Sequence, residues 1–371
     1  MHLSVDASPL LLRSAGVKNY LYHWIVALRR QSAGHHVAPF PFLDRIGDLT
    51  HDDSNLSRLE TLPRIMFLIS SNLRLHPAMR WVHRRADVFH VTNQIHHPVK
   101  GVALTTTLHD MTCWLMPELH TAANVKADHR FAAQIAAKAQ GLIAVSENTR
   151  QDAIRMLNLD PKKVVTIHSG VAEPFFTATE AEAEALKLRL GLIKPYILNV
   201  GTIEPRKNLD TLLDAYLQLP SELRDATDLV LAGPLGWAAG TTSQRILSGI
   251  PGVRYLGYVS ERDLPALTKG ATLFAYPSLY EGFGFPVAQA MACEVPVITS
   301  NTSCLPEIAG DGALLVDPRS AEEISVALQK LLTAEGLRNQ LGRNGRVRAE
   351  GNYRWDTCAK KSWDFFAQFI R

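Results

Sequence analysis

At 371 residues the chain is long enough for two ordinary cores, and its 46% hydrophobic and 20% charged residues exclude a disordered or fibrous protein. No apolar run reaches the ~18 residues of a membrane span, and Met1 to Asp6 reads as a first strand rather than a leader, so a cytoplasmic protein is expected. The formal net charge of +3 is uneven: residues 1–175 carry 19 Lys and Arg against 14 Asp and Glu, and hold all 14 histidines, which fits an acidic partner on that side, with no nucleic acid expected.

In chain order, His2 to Ala7 reads as a strand and Val17 to Arg30 as an amphipathic helix, with Tyr20, Leu21, Trp24, Ile25 and Leu28 at helical spacing. Between them lies Ser14-Ala-Gly16. A glycine just ahead of a helix lets a backbone N–H approach a phosphate, although no G-x-G-x-x-G is present. The run from Arg64 through Ile69 to Arg74, with Arg80, Arg84 and Arg85 beyond, mixes apolar and basic residues. It reads either as a core helix with a solvated face or as a membrane-surface patch. Asp87 to Val91 and Ala103 to Leu108 read as strands, and the second ends at His109-Asp110. A polar pair at the carboxyl end of a parallel strand is where open α/β sheets bind ligands; the plainer reading has Asp110 capping a turn and His109 packing. A helix from Val125 to Ala139, a strand from Leu142 to Val145, an N-cap at Ser146 and a strand from Val164 to His168 follow, an alternation that implies a parallel sheet.

After a bridge from Ala172 to Lys194, helical from Thr179 to Leu190, the strand Tyr196 to Val200 leads into Gly201-Thr-Ile-Glu-Pro-Arg206-Lys207-Asn208. Two adjacent cations ahead of the helix Asp210 to Leu217 make a candidate diphosphate clamp. Leu229 to Gly233 reads as a strand, and Ala271 to Tyr276 is an apolar run of strand length. Next comes Pro277-Ser-Leu-Tyr-Glu281-Gly-Phe-Gly-Phe285, then a helix from Val287 to Ala292. Its two glycines bring backbone N–H groups to an anion at a helix start, where Glu281 is awkward unless it faces sugar hydroxyls, and the pair suggests a nucleotide-sugar. Helices from Ala321 to Leu332, Leu337 to Arg346 and Asp356 to Ile370 complete the chain. Cys113, Cys293, Cys304 and Cys358 lack C-x-x-C spacing, and no H-E-x-x-H occurs, so no metal site is expected.

The segment from Pro277 to Pro296 resembles the donor motif of the retaining group 1 glycosyltransferases of GT-B architecture, mannosyltransferase-like members included. Their pattern is Pro-Ser-x-x-Glu-Gly-Phe-Gly with a second Glu eight positions after the first; here Gln289 takes that second place and Glu294 stands where Gly is usual. Gly16-Val17 with Tyr20, His109-Asp-Met, Glu204-Pro-Arg-Lys-Asn208, Gly233-Pro-Leu-Gly-Trp237, Val253 to Val259 and Thr299 to Glu307 also match, weakly in residues 1–85 and strongly from His90 onward.

The resemblance implies an α/β chain of two facing Rossmann-like domains, residues 1–175 on the acceptor side and 176–354 on the donor side, with residues 355–371 crossing back to the first. It implies retaining transfer of a mannose- or glucose-type hexose from a nucleotide-diphospho-sugar to a saccharide or lipid-linked acceptor, in cell-surface polysaccharide or glycolipid synthesis. Neither cofactor nor metal would be needed, and peripheral contact with the inner membrane face is compatible. Arg206, Lys207 and the N–H groups of Phe283 to Phe285 would meet the leaving diphosphate, Glu281 the sugar hydroxyls, and His109 the sugar's other face. Gly16, Gly201, Gly233, Tyr258, Val259, Gly282, Gly284 and Gln289 would complete the donor site, Tyr258 and Val259 through backbone at the base. Gln289 also leaves open a nucleotide-sugar-binding scaffold without transfer; the motifs of sugar-nucleotide epimerases do not match this donor loop.

Overall fold

Short runs rich in aliphatic and β-branched residues, bounded by Gly, Pro, Asp and Asn, build two sheets, with little of the apolar–polar alternation of a sheet that has one face in water. The computed structural model describes residues 1–12, 16–43, 46–47, 49, 54–72, 86–92, 94–95, 101–236 and 240–370. Among them, β1 (His2–Asp6), β2 (His36–Phe40), β3 (Val88–Val91), β4 (Ala103–Leu108), β5 (Gly141–Ala144) and β6 (Val164–Thr166) form one sheet in the order β2-β1-β3-β4-β5-β6. A second sheet, β12-β11-β10-β7-β8-β9, contains β7 (Tyr196–Val200), β8 (Asp228–Ala232), β9 (Val253–Gly257), β10 (Leu273–Tyr276), β11 (Val297–Ser300) and β12 (Ala313–Val316). The described pairings are parallel, running for example from Tyr196 opposite Asp228 to Val200 opposite Ala232. Each sheet reverses its winding beside its first strand, β1 or β7, the point at which open α/β sheets bind ligands beyond the strands' carboxyl ends.

The chain divides into two compact units, Met1–Gly170 with Trp355–Arg371, and Val171–Arg354. In the first, the helix Gly16–Arg30 buries Tyr20, Leu21, Trp24, Ile25 and Leu28, the face its spacing predicts. The terminal helix Trp355–Ala367 lies against it. Trp24 donates its indole N–H to Ser362 Oγ at 3.0 Å, Trp363 donates to the Leu28 carbonyl at 3.2 Å, and Arg30 pairs with Asp356. The helix Arg58–Ser71 opens with a capping box, Ser57 with Glu60, and buries Leu68 in the cluster of Phe40, Phe89, Val91 and Leu104. Ser14, Ala15, Arg74, Arg80, Arg84, Arg85 and Trp237 lie outside the described residues.

Several elements differ from the sequence reading. The helix expected from Val125 starts earlier, at Ala122, because Thr121 Oγ1 accepts the Asn124 N–H at 3.2 Å; it ends at Gln134, and the chain tightens into a 3-10 turn at Ala136–Lys138. The helix Glu335–Asn352 outruns the expected Leu337 to Arg346 although glycines interrupt its pattern. Those glycines allow close packing: a Cβ on Gly342 would stand 2.4 Å from the Glu294 carbonyl oxygen, and one on Gly345 would stand 3.1 Å from Met291 Cγ. The helix Phe285–Ala292, which positions the donor-motif residues, is held by that approach.

Candidate functional site

In the second unit the loop after β7 and the loop after β10 fold onto each other. Arg206 offers its carbonyl to the Leu279 N–H at 2.9 Å, and the Asn208 side-chain amide donates to the Pro277 carbonyl at 3.0 Å. This joins the Pro205–Lys207 turn to the Glu281 loop and makes one cluster of the expected clamp and the expected sugar ligand. Lys207 Nζ donates to Glu281 Oε1 at 2.7 Å and to the Tyr276 hydroxyl at 2.6 Å. Arg206 pairs with Glu281 Oε2 at 2.8 Å and with Glu204 Oε1 at 2.7 Å. Tyr276 donates to Glu281 Oε1 at 2.9 Å, as does Ser278 Oγ at 2.7 Å, and the Glu281 N–H donates to Ser303 Oγ at 3.1 Å.

Two cations and two carboxylates thus share a pocket in which Glu281, Arg206 and Lys207 side chains are only 9%, 15% and 11% exposed. Burial raises the Glu281 carboxyl, but the charges of Arg206 and then Lys207 outweigh it and hold the group at about 2. Burial, followed by the Arg206 charge, lowers the Lys207 ammonium, against the opposing pull of Glu281 and Glu204. Desolvation and the Glu281 charge push the Tyr276 phenol well above its ordinary range. Such a cluster is balanced in itself, and an incoming anion competes with Glu281 for the same cations.

The remaining donor residues surround this cluster. Gly201 follows β7, and Gly233 follows β8 at φ +146°, where a Cβ would lie 2.0 Å from the Gly201 carbonyl oxygen, so only glycine fits. Gly282 and Phe283 are buried in the loop; Gly284, in the left-handed conformation at φ +81°, caps the helix that starts at Phe285. Gln289 sits on that helix at 8% exposure, and among the described residues nothing bonds its carboxamide. Tyr258 and Val259 follow the edge strand β9, with Tyr258 exposed. Glu307 lies in the helix Leu305–Ala309, and its backbone carbonyl accepts from the Arg348 guanidinium of the helix Glu335–Asn352.

In the first unit His109 follows β4 and lies edge-on to Tyr20, ring centroids 4.9 Å apart. Both line a cavity of about 150 Å³ with Thr107, Asp110, Trp114 and Asp128. Asp110 accepts the Thr112 N–H at 3.0 Å, which caps the next turn, while His109 lines the cavity wall beside Tyr20. Burial lowers the His109 imidazole to about 4 despite the opposing Asp110 charge, leaving it neutral near pH 7. Gly16 begins its helix with open space where a side chain would be. Ser146 accepts the Thr149 N–H at 3.1 Å and is structural, as read.

Four polar groups escaped the sequence reading. Tyr276 and Ser278 shape Glu281, and only their nearness to the motif signalled them. Asp6, fully buried at the end of β1, accepts from Ser8 and from Thr92, which follows β3. His90 bridges Thr105 and Thr107 at 3.0 and 2.9 Å, its ring held to about 3 by burial and then by His109.

The family model described as glycosyl transferases group 1 matches residues 182–348, and the one described as glycosyltransferase family 4 matches residues 14–173. The O-antigen chain mannosyltransferase B of Escherichia coli is 32% identical over 332 residues, covering 86% of this chain and 87% of that one. Among solved structures, sucrose-phosphate synthase from Thermosynechococcus elongatus superposes with a TM-score of 0.75 at 21% identity, covering 99% and 98% of the two chains. Anabaena HepE in complex with UDP-glucose gives 0.73 at 19%, covering 99% of each. Two units, each built on a parallel six-stranded sheet, together with the likeness to these solved structures, make this a GT-B protein. With the mannosyltransferase identity and both family models, the chain belongs to the group 1 glycosyltransferases.

Proposed function

We propose that this glycosyltransferase moves a mannose- or glucose-type hexose from a nucleotide-diphospho-sugar to a saccharide or lipid-linked acceptor, with retention of anomeric configuration and without a metal. The observation that carries the reading is the buried cluster of Arg206, Lys207 and Glu281. As the sugar–phosphate bond breaks, negative charge gathers on the leaving diphosphate, and fixed cations in a water-poor site stabilise it best. Arg206 and Lys207 supply that charge with the N–H groups of Phe283 to Phe285. Glu281, held ionised, accepts from the hexose hydroxyls, and Gln289 bonds the ribose. His109, neutral, offers a hydrogen bond to the sugar. The E. coli relative's name supports a mannose-type donor sugar and polysaccharide synthesis.

A panel of purine and pyrimidine nucleotide-diphospho-hexoses, assayed for transfer to oligosaccharide and lipid-linked acceptors, tests this directly. Lys207→Ala is expected to lower turnover by ~10²-fold or more on the active donor. Product NMR is expected to show the donor's anomeric configuration, and a chelator is expected to leave the rate unchanged. Donor binding without any transfer would favour the scaffold reading that Gln289 suggests.

A further inference from the structure

The second unit holds a cavity at the end of its sheet opposite the donor loops, where β10 and β11 begin. Its volume of about 400 Å³ accepts a small molecule. Three cations line it. Lys269 ends the helix Leu264–Lys269, and its Nζ lies 3.3 Å from the Cys293 carbonyl and 3.2 Å from Glu180 Oε1. Arg338, near the start of Glu335–Asn352, donates through Nη1 to the Leu331 and Leu332 carbonyls at 2.7 and 3.0 Å. Those bonds fix its guanidinium and leave Nε and Nη2 without a partner among the described residues. Arg343, on the same helix, is exposed and has no partner among the described residues.

The carbonyl bonds explain Lys269 and Arg338 as caps of helix ends, but both keep donors beyond them, and Arg343 has no such task. The acidic groups of the wall are Glu180 and Glu294, both exposed; Glu180, 74% exposed, holds Lys269 only weakly. The balance stays positive and favours an anion. Two carboxylates would repel a bare anion, yet they accept well from hydroxyls. The Asn339 amide and the Thr272 hydroxyl, which nothing bonds among the described residues, add donors and acceptors of the same kind. A phosphate needs the cations and a sugar ring needs the rest. We propose that this cavity binds a phosphorylated sugar, with Lys269, Arg338 and Arg343 at the phosphate and Glu180, Glu294 and Asn339 at the hydroxyls. It is a second site, apart from the donor cluster: the helix Phe285–Ala292 begins at the donor loop and leads to Cys293 in the cavity wall, ~12 Å away at 1.5 Å per residue. The inference is independent of the donor chemistry.

Titration calorimetry of the full chain with glucose 6-phosphate, mannose 6-phosphate, free glucose and inorganic phosphate tests it. A sugar phosphate is expected to bind with a Kd below about 1 mM, at least tenfold tighter than inorganic phosphate or glucose. Arg343→Glu is expected to weaken that binding at least tenfold at unchanged melting temperature, while Lys207→Ala, in the donor cluster, leaves it intact. Should Arg343→Glu disturb folding, Arg343→Ala with Asn339→Ala, at two exposed positions, makes the same test. Wild-type protein that ignores both sugar phosphates, or correctly folded Arg343 variants that bind them as well as wild type, overturns the proposal. So does inorganic phosphate that binds as tightly as the sugar phosphates, which would leave an adventitious ion only. Binding lost in Lys207→Ala also overturns it, because the ligand would then occupy the donor cluster.

Discussion

Glu281 has two tasks that pull in different directions. In the free protein it neutralises Arg206 and Lys207, and in the proposed complex it faces the hexose. Glu281→Gln keeps the shape and removes the charge, so it leaves two buried cations with Glu204 as their remaining carboxylate. Breaking a buried pair costs about 3 kcal/mol, which thermal or urea unfolding would register. The same change removes the competitor for the diphosphate, so affinity for the free nucleoside diphosphate is expected to hold or rise while turnover falls ~10²-fold. A parallel loss of affinity in calorimetry would show that Glu281 meets the diphosphate side instead. Gln289 asks the converse question. Unbonded and almost buried, its amide keeps one acceptor for a ribose hydroxyl, and bonds to a charged acceptor exceed neutral ones by about 1 kcal/mol. Gln289→Glu is therefore expected to tighten nucleoside diphosphate binding several-fold with turnover little changed, and to lower the melting temperature of the free protein because the new carboxylate is buried without a partner. Titration calorimetry on both proteins checks it.

At the scale of elements, the end of the helix Phe285–Ala292 is a place where side chain and backbone disagree. Glu294 has φ +63°, a left-handed conformation that glycine adopts without strain, and Glu294→Gly is expected to stabilise by ~1 kcal/mol in denaturant unfolding. A lower midpoint would mean that the Glu294 side chain contributes more than its backbone costs. The position stood out in the sequence only as a departure from the family's pattern; β7, β10 and the inner face of Gly16–Arg30 carried a local signal of apolar period, whereas the donor loop and the paired cations Arg206 and Lys207 stood out through the resemblance. Other features were illegible for physical reasons. β2, β11 and β12 are five residues or fewer, with little apolar–polar alternation, and such runs look the same as stretches of buried helix. The length of Glu335–Asn352 depends on close approach to another helix, which overrides the low helix propensity of its glycines. The ion pairs of Glu281 join residues 74 and 75 positions apart, a contact that no window on the sequence contains. Whether Arg58–Ser71 shows its apolar residues to core or to solvent was likewise undecided by composition, since it has both faces.

At the scale of the molecule, the two units should respond differently to acid. His90 and His109, in the first unit, have their protonation suppressed from an ordinary 6.5 to about 3 and about 4. The unfolded chain therefore binds those protons first, and the stability they contribute is full above pH 6.5 and falls as pH drops toward 4 and below. In the second unit Glu281 is depressed from 4.5 to about 2, so its contribution is full above 4.5 and disappears only toward 2. The first unit is expected to loosen at the higher pH. Five of the six tryptophans, Trp24, Trp81, Trp114, Trp355 and Trp363, belong to its residue ranges, so their emission should shift before far-UV circular dichroism completes its change. A single coincident transition would contradict this ordering.

The placement of Trp355–Ala367 within the first unit has a consequence during biosynthesis. The ribosome finishes residue 170, then makes all of Val171–Arg354 before the helix that covers Trp24 and Leu28 is even translated. At ~5–20 residues per second this interval lasts roughly ten to forty seconds. Throughout it the nascent first unit presents the aromatic flank of Gly16–Arg30 to solvent, open to chaperones and to neighbouring nascent chains. The second unit, continuous in sequence, can fold as soon as it emerges, so the half of the protein translated first is the half completed last.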